Sequence, residues 1–205
     1  MKEDQIEWYK KVCAAAGKNK VTPGLVKAIQ LLKSNDKVIV PGSAIDLGCG
    51  LGRDTLHLLA NDWKVLAVDI NPYVIEKLES SVRSGHERLR TQVTSFEDTD
   101  WVPATLINAS FALPYCPVEQ FDYVWSQILA SLIPGGVVVS DFFGLTPGQP
   151  RREDLVMLLS RKQLDNYLTP LKVLFLQKWY GEFINAKDET VPRLVYTVVA
   201  QRDKY

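Results

Sequence analysis

The sequence predicts an α/β fold in which a mostly parallel sheet is covered by helices on both faces. The first observation is that short apolar segments alternate with helical patterns along most of the chain, as is typical of β–α–β units. The second is a glycine-rich turn that follows an apolar run and precedes a helical pattern. The third is a pair of closing apolar segments without a helix between them, which indicates an antiparallel pair at one edge.

Helices are predicted where apolar residues recur at helical spacing and where capping residues precede them. Thr22-Pro23 and Asn71-Pro72 each fit an N-cap followed by proline at the first helical position. The predicted helices cover residues 4–16, 22–33, 54–60, 71–82, 117–132 and 152–167.

Strands are predicted where apolar runs are short and bounded by turn residues. The predicted strands cover residues 43–47, 63–70, 88–94, 106–109, 137–143, 172–179 and 194–200. Pro134-Gly135-Gly136 is a predicted turn before the fifth strand. The polar segment Tyr180–Arg193 is predicted to be a hairpin loop between the last two strands.

Length and composition indicate one ordinary globular domain. The chain has 205 residues, of which 46% are hydrophobic and 23% are charged. Its 24 basic and 24 acidic residues balance, which argues against a strongly basic nucleic-acid binder. No apolar run approaches the roughly 20 residues of a membrane span, and no secretory signal is apparent. The three cysteines form no C-x-x-C pair, so we expect no zinc site, no disulfide framework and a cytoplasmic location.

The turn after the first predicted strand carries the functional signal. Asp46 is followed by Gly48, Gly50 and Gly52, so that bare backbone can approach a ligand closely. A dinucleotide site would need a third glycine in the G-x-G-x-x-G register, where this chain has Arg53. The pattern Asp-x-Gly-x-Gly-x-Gly instead resembles the first motif of class I S-adenosylmethionine-dependent methyltransferases.

That resemblance implies a site at the carboxyl ends of the strands. The loop amides and the next helix would face a methionine carboxylate, and Asp46 would organise the loop or meet the amino group. Asp69 ends the second apolar strand, 23 positions after Asp46, where an acid can accept both hydroxyls of a ribose diol. The alternatives are that the glycine run is a structural turn and that Asp69 caps the next helix.

Later strands complete the cofactor site that the resemblance implies. Ser95-Phe96 stands where the family has an acid and an apolar residue for adenine, so Glu97 or Asp98 is a candidate replacement acid. The segment Leu106–Pro117, together with Pro134-Gly135-Gly136 and Asp141–Gly144, resembles small bacterial methyltransferases of the tellurite-resistance-like group. The implied cofactor-binding residues are Asp46, Gly48, Cys49, Gly50, Gly52, Arg53, Asp69, Ile70, Asn71, Ser95, Phe96, Asn108, Ala109 and Phe111.

Two residues are candidates for the acceptor side. Asp141 ends the fifth apolar strand, where a buried acid is costly without partners, and it could serve as a base or orient the substrate. The alternative is a structural ion pair with Arg151 or Arg152. Tyr115 would lie at the mouth of the pocket, with a rigid proline-bounded turn as its alternative.

The resemblance implies a Rossmann-like, seven-stranded, mostly parallel sheet with a reversed final strand. Residues 1–34 would form a helical cap, 40–145 the cofactor-binding core and 146–205 the substrate side. We expect methyl transfer from S-adenosylmethionine to a small molecule, with no metal, nucleic acid or membrane partner. The alternatives are a methyltransferase-like binding protein without turnover, for which Ser95 and Ala104 speak, and a nicotinamide-dependent oxidoreductase.

Overall fold

The computed structural model describes residues 20–34, 40–146, 152–153, 156–184 and 189–203. The predicted helix over residues 4–16, with its Trp8 and Tyr9, lies outside them. The helices of the described residues are α1 (Pro23–Lys33), α2 (Arg53–Ala60), α3 (Pro72–Ser81), α4 (Val118–Ser131) and α5 (Arg161–Leu168). None of them is long and apolar enough to cross a membrane.

Nine strands of the described residues form one mixed sheet. They are β1 (Ser43–Leu47), β2 (Lys64–Asp69), β3 (Leu89–Val93), β4 (Ala104–Ala109), β5 (Leu132–Gly144), β6 (Arg152–Glu153), β7 (Val156–Leu159), β8 (Leu171–Ile184) and β9 (Thr190–Arg202). The order β3-β2-β1-β4-β5 is parallel throughout. Strand β9 runs antiparallel to both β5 and β8, which confirms the predicted Rossmann-like sheet with its reversed final strand.

Helix starts follow the local sequence. Asn71 caps α3 by accepting a 3.0 Å hydrogen bond from the Tyr73 backbone N–H, and proline occupies the first turn. Thr22 stands at the N-cap of α1 but makes no side-chain cap bond. Its hydroxyl is used in the candidate site instead.

Two apolar cores lie on opposite faces of the sheet. One core packs α1, α2 and α3 against the sheet through residues such as Leu25, Leu58 and Leu78. The other packs α4 and α5 through residues such as Phe121 and Leu164. Neighbouring residues of each central strand alternate between these cores, so the sheet is covered on both faces as predicted.

The predicted helix over residues 152–167 is wrong in its first half. Residues 152–153 and 156–159 form the β6–β7 hairpin, and α5 begins only after Ser160. Strand β5 extends beyond the end of β4, and β7 pairs in parallel with that extension, Phe143 opposite Leu158. An apolar run of four residues fits a helix or a strand equally well. Here the strand is favoured, because the extension of β5 has backbone groups that β4 does not reach and that β7 can pair with.

The closing hairpin is longer than predicted. Strands β8 and β9 pair from Leu171 opposite Arg202 to Ile184 opposite Thr190, with one register shift between Val173 and Phe175. Most of the segment predicted as a polar loop, Tyr180–Arg193, is therefore strand. The polar residues there alternate with Trp179, Gly181 and Phe183, which share one face.

Candidate functional site

The loop between β1 and α2 depends on glycine. Gly48, Gly50 and Gly52 have φ angles of 66°, 53° and 83°, in the left-handed region that side chains disfavour. A Cβ atom added at Gly48 would lie 2.7 Å from Cβ of Ala112. The loop therefore exposes backbone where a larger residue would collide with the segment after β4.

Asp69 ends β2 directly beside this loop. Its side chain is 1% exposed, and its Oδ2 atom accepts a 3.0 Å hydrogen bond from the Gly50 backbone N–H. Its Oδ1 atom accepts a 2.9 Å bond from the Asn71 backbone N–H. The Cys49 N–H donates to the Val68 carbonyl at 3.0 Å. Gly50 and Asp69 are 19 residues apart along the chain. Their hydrogen bond therefore brings the acid and the glycine loop together.

Apolar and polar groups border the glycine loop and Asp69. The Ile70 side chain is 52% exposed at the end of β2. Phe96 lies 3.6 Å from the position of a Gly48 Cβ atom, and it packs on the core. The Ser95 hydroxyl donates a 3.0 Å hydrogen bond to Oδ2 of Asp98, so the segment after β3 brings an acid to the position where Ser95 replaces one.

A buried network of polar side chains lies beneath the loop. Asp46 accepts hydrogen bonds from the Thr55 hydroxyl at 2.5 Å and from Nδ2 of Asn108 at 2.7 Å. Asn108 also donates to Oδ2 of Asp54 at 3.2 Å. Asn108 is therefore held between two carboxylates by its amide nitrogen.

Asp54 connects this network to helix α1. Its carboxylate accepts from the Thr22 backbone N–H at 2.9 Å and from the Thr22 hydroxyl at 2.7 Å. Nε of Arg53 lies 3.3 Å from Oδ1 of Asp54, and the Ser110 hydroxyl donates to Asn108 at 2.7 Å. Sequence reasoning missed Asp54 and Thr22 as partners. The available signal was an acid in the first turn of the helix after the glycine run.

Burial of this network disfavours the charged form of Asp46. Burial and the nearby Asp54 charge raise the pKa of Asp46 from its ordinary 3.8 to about 7, against the hydrogen bonds from Thr55 and Asn108 and the Arg53 charge. Within the described ranges, no group of three or more His, Cys, Asp or Glu side chains could hold a metal ion.

Asp141 lies on β5, on the same sheet face as Asn108. It is 2% exposed and accepts hydrogen bonds from the Thr197 hydroxyl and the Phe111 backbone N–H. Burial raises its pKa to about 6, with a smaller contribution from Asp54. The alternative ion pair with Arg151 or Arg152 falls on side chains outside the described residues.

The segment after β4 reaches the acceptor side. Ala109 is fully buried and its carbonyl accepts from the Ser140 hydroxyl at 3.1 Å. Phe111 has a φ of 56°, unusual for a bulky residue. Tyr115 lies edge-on to Phe143, with ring centroids 6.2 Å apart. Phe111 and Tyr115 thus border the same aromatic region, whereas Ala109 and Asn108 present little surface to a ligand.

The predicted residues therefore form two adjoining regions. Gly48, Gly50, Gly52, Asp69, Ile70 and Phe96 border one region above β1 and β2. Asp141, Phe111 and Tyr115 border the other, above β4 and β5. In the first region the Asp69 acid and the bare backbone of the glycine loop lie side by side. Asp46 and Asn108 lie opposite each other on β1 and β4, the neighbouring strands that lie between β2 and β5.

Comparison with known proteins agrees with this geometry. Residues 44–136 match the methyltransferase domain family. The carboxy-S-adenosyl-L-methionine synthase of Shewanella amazonensis is 25% identical over 125 residues, covering 57% of this chain and 51% of that protein. The chain thus spans about half the length of this curated relative.

Two solved structures show the same fold. TehB from Haemophilus influenzae has a TM-score of 0.74 at 17% identity, covering 89% of this chain and 63% of that one. The N-methyltransferase NodS from Bradyrhizobium japonicum, in complex with S-adenosylhomocysteine, has a TM-score of 0.66 at 13% identity, covering 98% and 99%. Residues 44–136 are thus similar to a methyltransferase domain, and the described residues have the fold of these two structures.

Proposed function

We propose that this protein transfers a methyl group from S-adenosylmethionine to a small-molecule acceptor. The observation that carries the proposal is the contact between Gly50 and Asp69, which joins a bare-backbone loop to a buried acid. The methyltransferase family match and the S-adenosylhomocysteine complex of the NodS structure support the same cofactor.

Each part of the first region has a role toward the cofactor. Asp69 would accept the ribose hydroxyls, and the amides of the glycine loop with the N-terminus of α2 would face the methionine carboxylate. Ile70 and Phe96 would cover the two faces of adenine. Asp98, held by Ser95, would accept from the adenine amino group.

The buried carboxylates would act on the other end of the cofactor. Asp46 and Asp54 place negative charge next to Asn108. Such charge would favour the methionine ammonium. Asn71, Cys49 and Arg53 would hold the loop and the acid in place rather than contact the reacting atoms.

Bound S-adenosylmethionine supplies an activated methyl group. The task of the protein is then to align the nucleophile of the acceptor and to exclude water, which can lower a barrier by about 7–11 kcal/mol in well-aligned systems. Asp141 would orient the nucleophile and receive its proton. Tyr115 and Phe111 would shield the reacting atoms from water.

A small acceptor is favoured over a nucleic acid. The chain has equal numbers of acidic and basic residues and no basic stretch. The segment after β4 reads Ala109-Ser-Phe-Ala, whereas many amino-directed methyltransferases carry an Asn-Pro-Pro-Tyr type of motif there. An oxidoreductase is disfavoured because Arg53 occupies the position of the third dinucleotide glycine.

The test follows the fate of the cofactor by mass spectrometry. The full chain is incubated with S-adenosylmethionine and a panel of small acceptors, with boiled protein as the control. We expect S-adenosylhomocysteine together with one methylated acceptor. Binding without product across the panel would instead indicate a protein that has lost turnover. Conversion of the cofactor to its carboxylated form, the reaction in the relative's name, would replace the proposal.

A further inference from the structure

A cluster of aromatic side chains lies beyond the carboxyl end of β4. It consists of Phe111, Phe143, Trp179 and Phe183, which we call the aromatic cluster. The Phe111 ring lies edge-on to Trp179 at 6.3 Å, and Phe143 lies edge-on to Phe183 at 5.0 Å. The rings come from three separate segments of the chain, and three of the four are only half-buried. The cluster therefore presents ring surface beside the site as well as filling a core.

Strand β8 is adapted to hold two of these rings. A Cβ atom added at Gly181 would lie 2.5 Å from Cζ3 of Trp179 and 2.9 Å from Cε2 of Phe183. Glycine thus lets both rings close over the strand between them. Tyr180, the intervening residue, points to the opposite face and is 66% exposed.

The cluster is connected to Asp141 through Thr197. The Thr197 hydroxyl donates to Asp141 and accepts a 3.0 Å hydrogen bond from Nε1 of Trp179. Thr197 and Asp141 are cross-strand partners on β9 and β5. The indole ring is thereby fixed in orientation relative to the carboxylate.

Phe111 supplies a second connection between the rings and the carboxylate. Its backbone N–H donates to Asp141, and its ring also contacts Phe183 at 5.9 Å. The left-handed conformation is unfavourable for a residue with a side chain. Such strain persists where the surroundings over-determine it, and it concentrates at ligand sites.

We propose that the aromatic cluster is the acceptor subsite and that it takes an uncharged, planar ring compound whose reacting oxygen or nitrogen carries a proton. This inference rests on the proposed methyl transfer. The acceptor heteroatom forms a bond to the methyl carbon while the carbon–sulfur bond breaks and its electron pair stays on sulfur. The proton of the heteroatom passes to the Asp141 carboxylate.

The charges around the cluster favour this class over charged acceptors. The guanidinium carbon of Arg193 lies 5.9 Å from the Phe143 ring centroid, so a cation already occupies one ring of the cluster and leaves less ring surface there for a cationic acceptor. The buried Asp141 carboxylate disfavours an acceptor that is anionic at its nucleophile. A neutral ring can stack on the cluster and donate its proton to Asp141.

The test uses three matched probes titrated into the full chain saturated with S-adenosylhomocysteine. The probe 2-naphthol has a planar ring and a hydroxyl, 2-methoxynaphthalene lacks the proton, and decahydro-2-naphthol lacks planarity. We expect 2-naphthol to bind about tenfold more tightly than either control, since one control lacks the aromatic contacts and the other lacks the charge-assisted hydrogen bond. Equal binding of decahydro-2-naphthol would overturn the proposed class.

Substitutions on β8 test whether the probe binds at the aromatic cluster. We expect Trp179→Leu and Phe183→Leu each to weaken 2-naphthol about fivefold to tenfold, and Tyr180→Leu on the opposite face to change it less than about twofold. Equal weakening by Tyr180→Leu would contradict the assignment. Normal affinity for S-adenosylhomocysteine shows that a variant is folded. If Trp179→Leu no longer binds S-adenosylhomocysteine, Phe183→Leu provides the test instead. If the wild type binds the cofactor but not 2-naphthol, this inference alone is contradicted. If the wild type binds no cofactor, the proposed function is contradicted.

Discussion

The backbone N–H of Gly50 donates a 3.0 Å hydrogen bond to Oδ2 of Asp69. This bond joins the turn after β1 to the end of β2, two neighbouring parallel strands. A second bond from the Asn71 N–H fixes the other carboxylate oxygen. The acid is thus oriented before any ligand arrives, which reduces the entropy that binding must overcome.

Gly48→Ala should abolish cofactor binding and destabilise the fold. The new Cβ atom would meet Ala112 at 2.7 Å at a φ of 66°, so we expect a loss of about 1–3 kcal/mol in unfolding free energy. Gly85→Ala is the matched control, since Gly85 also has a positive φ but faces the flexible end of Arg88. It should lose stability while binding S-adenosylhomocysteine normally. Chemical denaturation and calorimetry measure both effects, and normal binding by Gly48→Ala would refute the loop assignment.

Thr22→Val should loosen helix α1 from the site. It removes the 2.7 Å hydrogen bond from the hydroxyl to the buried Asp54 carboxylate, at a cost of about 1.5–3 kcal/mol because the acceptor is charged. Thr169→Val removes an exposed hydroxyl bond and should cost no more than about 0.5 kcal/mol. Urea unfolding compares the two variants. Equal midpoints would mean that Thr22 does not anchor α1.

The unfolding free energy should depend on the ionisation of Asp46. Its pKa rises on folding from 3.8 to about 7, so the folded state binds more protons than the unfolded state between these values. The contribution of this group to stability therefore falls as pH rises from about 4 to about 7, by an amount on the order of 1–4 kcal/mol. Asp46→Asn should flatten this slope in denaturation curves taken across that range. An unchanged slope would exclude Asp46 as its source.

Asp141 should titrate near pH 6, and Thr197→Val should raise its pKa further. Burial raises the pKa of Asp141, and the Thr197 hydroxyl partly offsets this by stabilising the charged form. Carbon-13 NMR of the aspartate carboxyls, assigned with Asp141→Asn, follows the titration. Thr91→Val, on the far strand β3, should leave it in place. A fall in the Asp141 pKa in Thr197→Val would contradict the hydrogen bond.

The rate of methyl transfer should increase as pH rises through the Asp141 pKa.

The fold and half of the candidate site were predictable because their signals are local. The glycine run and Asp69 each stand at the end of an apolar strand, and parallel strands bring such ends together. Asn71-Pro72 predicted the start of α3 correctly because the cap bond spans only two residues. Local capping chemistry needs no knowledge of the rest of the chain.

Other features depend on partners that are distant in sequence. Thr22 matches the N-cap pattern, yet its hydroxyl bonds to Asp54, 32 residues away. The apolar run over residues 156–159 became a strand because the extension of β5 offers it a partner. Thr197 reaches Asp141 through the pairing of β9 with β5, and Trp179 reaches Thr197 through the pairing of β8 with β9. Local patterns do not encode these pairings.

The most direct test of the account is calorimetric titration of S-adenosylhomocysteine into the wild type, Asp69→Asn and Asp165→Asn. Asp165 is the matched control, because it is an exposed acid on α5 that pairs with Arg161 of the same helix. We expect the wild type and Asp165→Asn to bind equally well and Asp69→Asn to bind at least about tenfold more weakly, since hydrogen bonds to a charged acceptor contribute about 1.5–3 kcal/mol. Unchanged binding by a folded Asp69→Asn protein, or no binding by the wild type, would contradict the central claim.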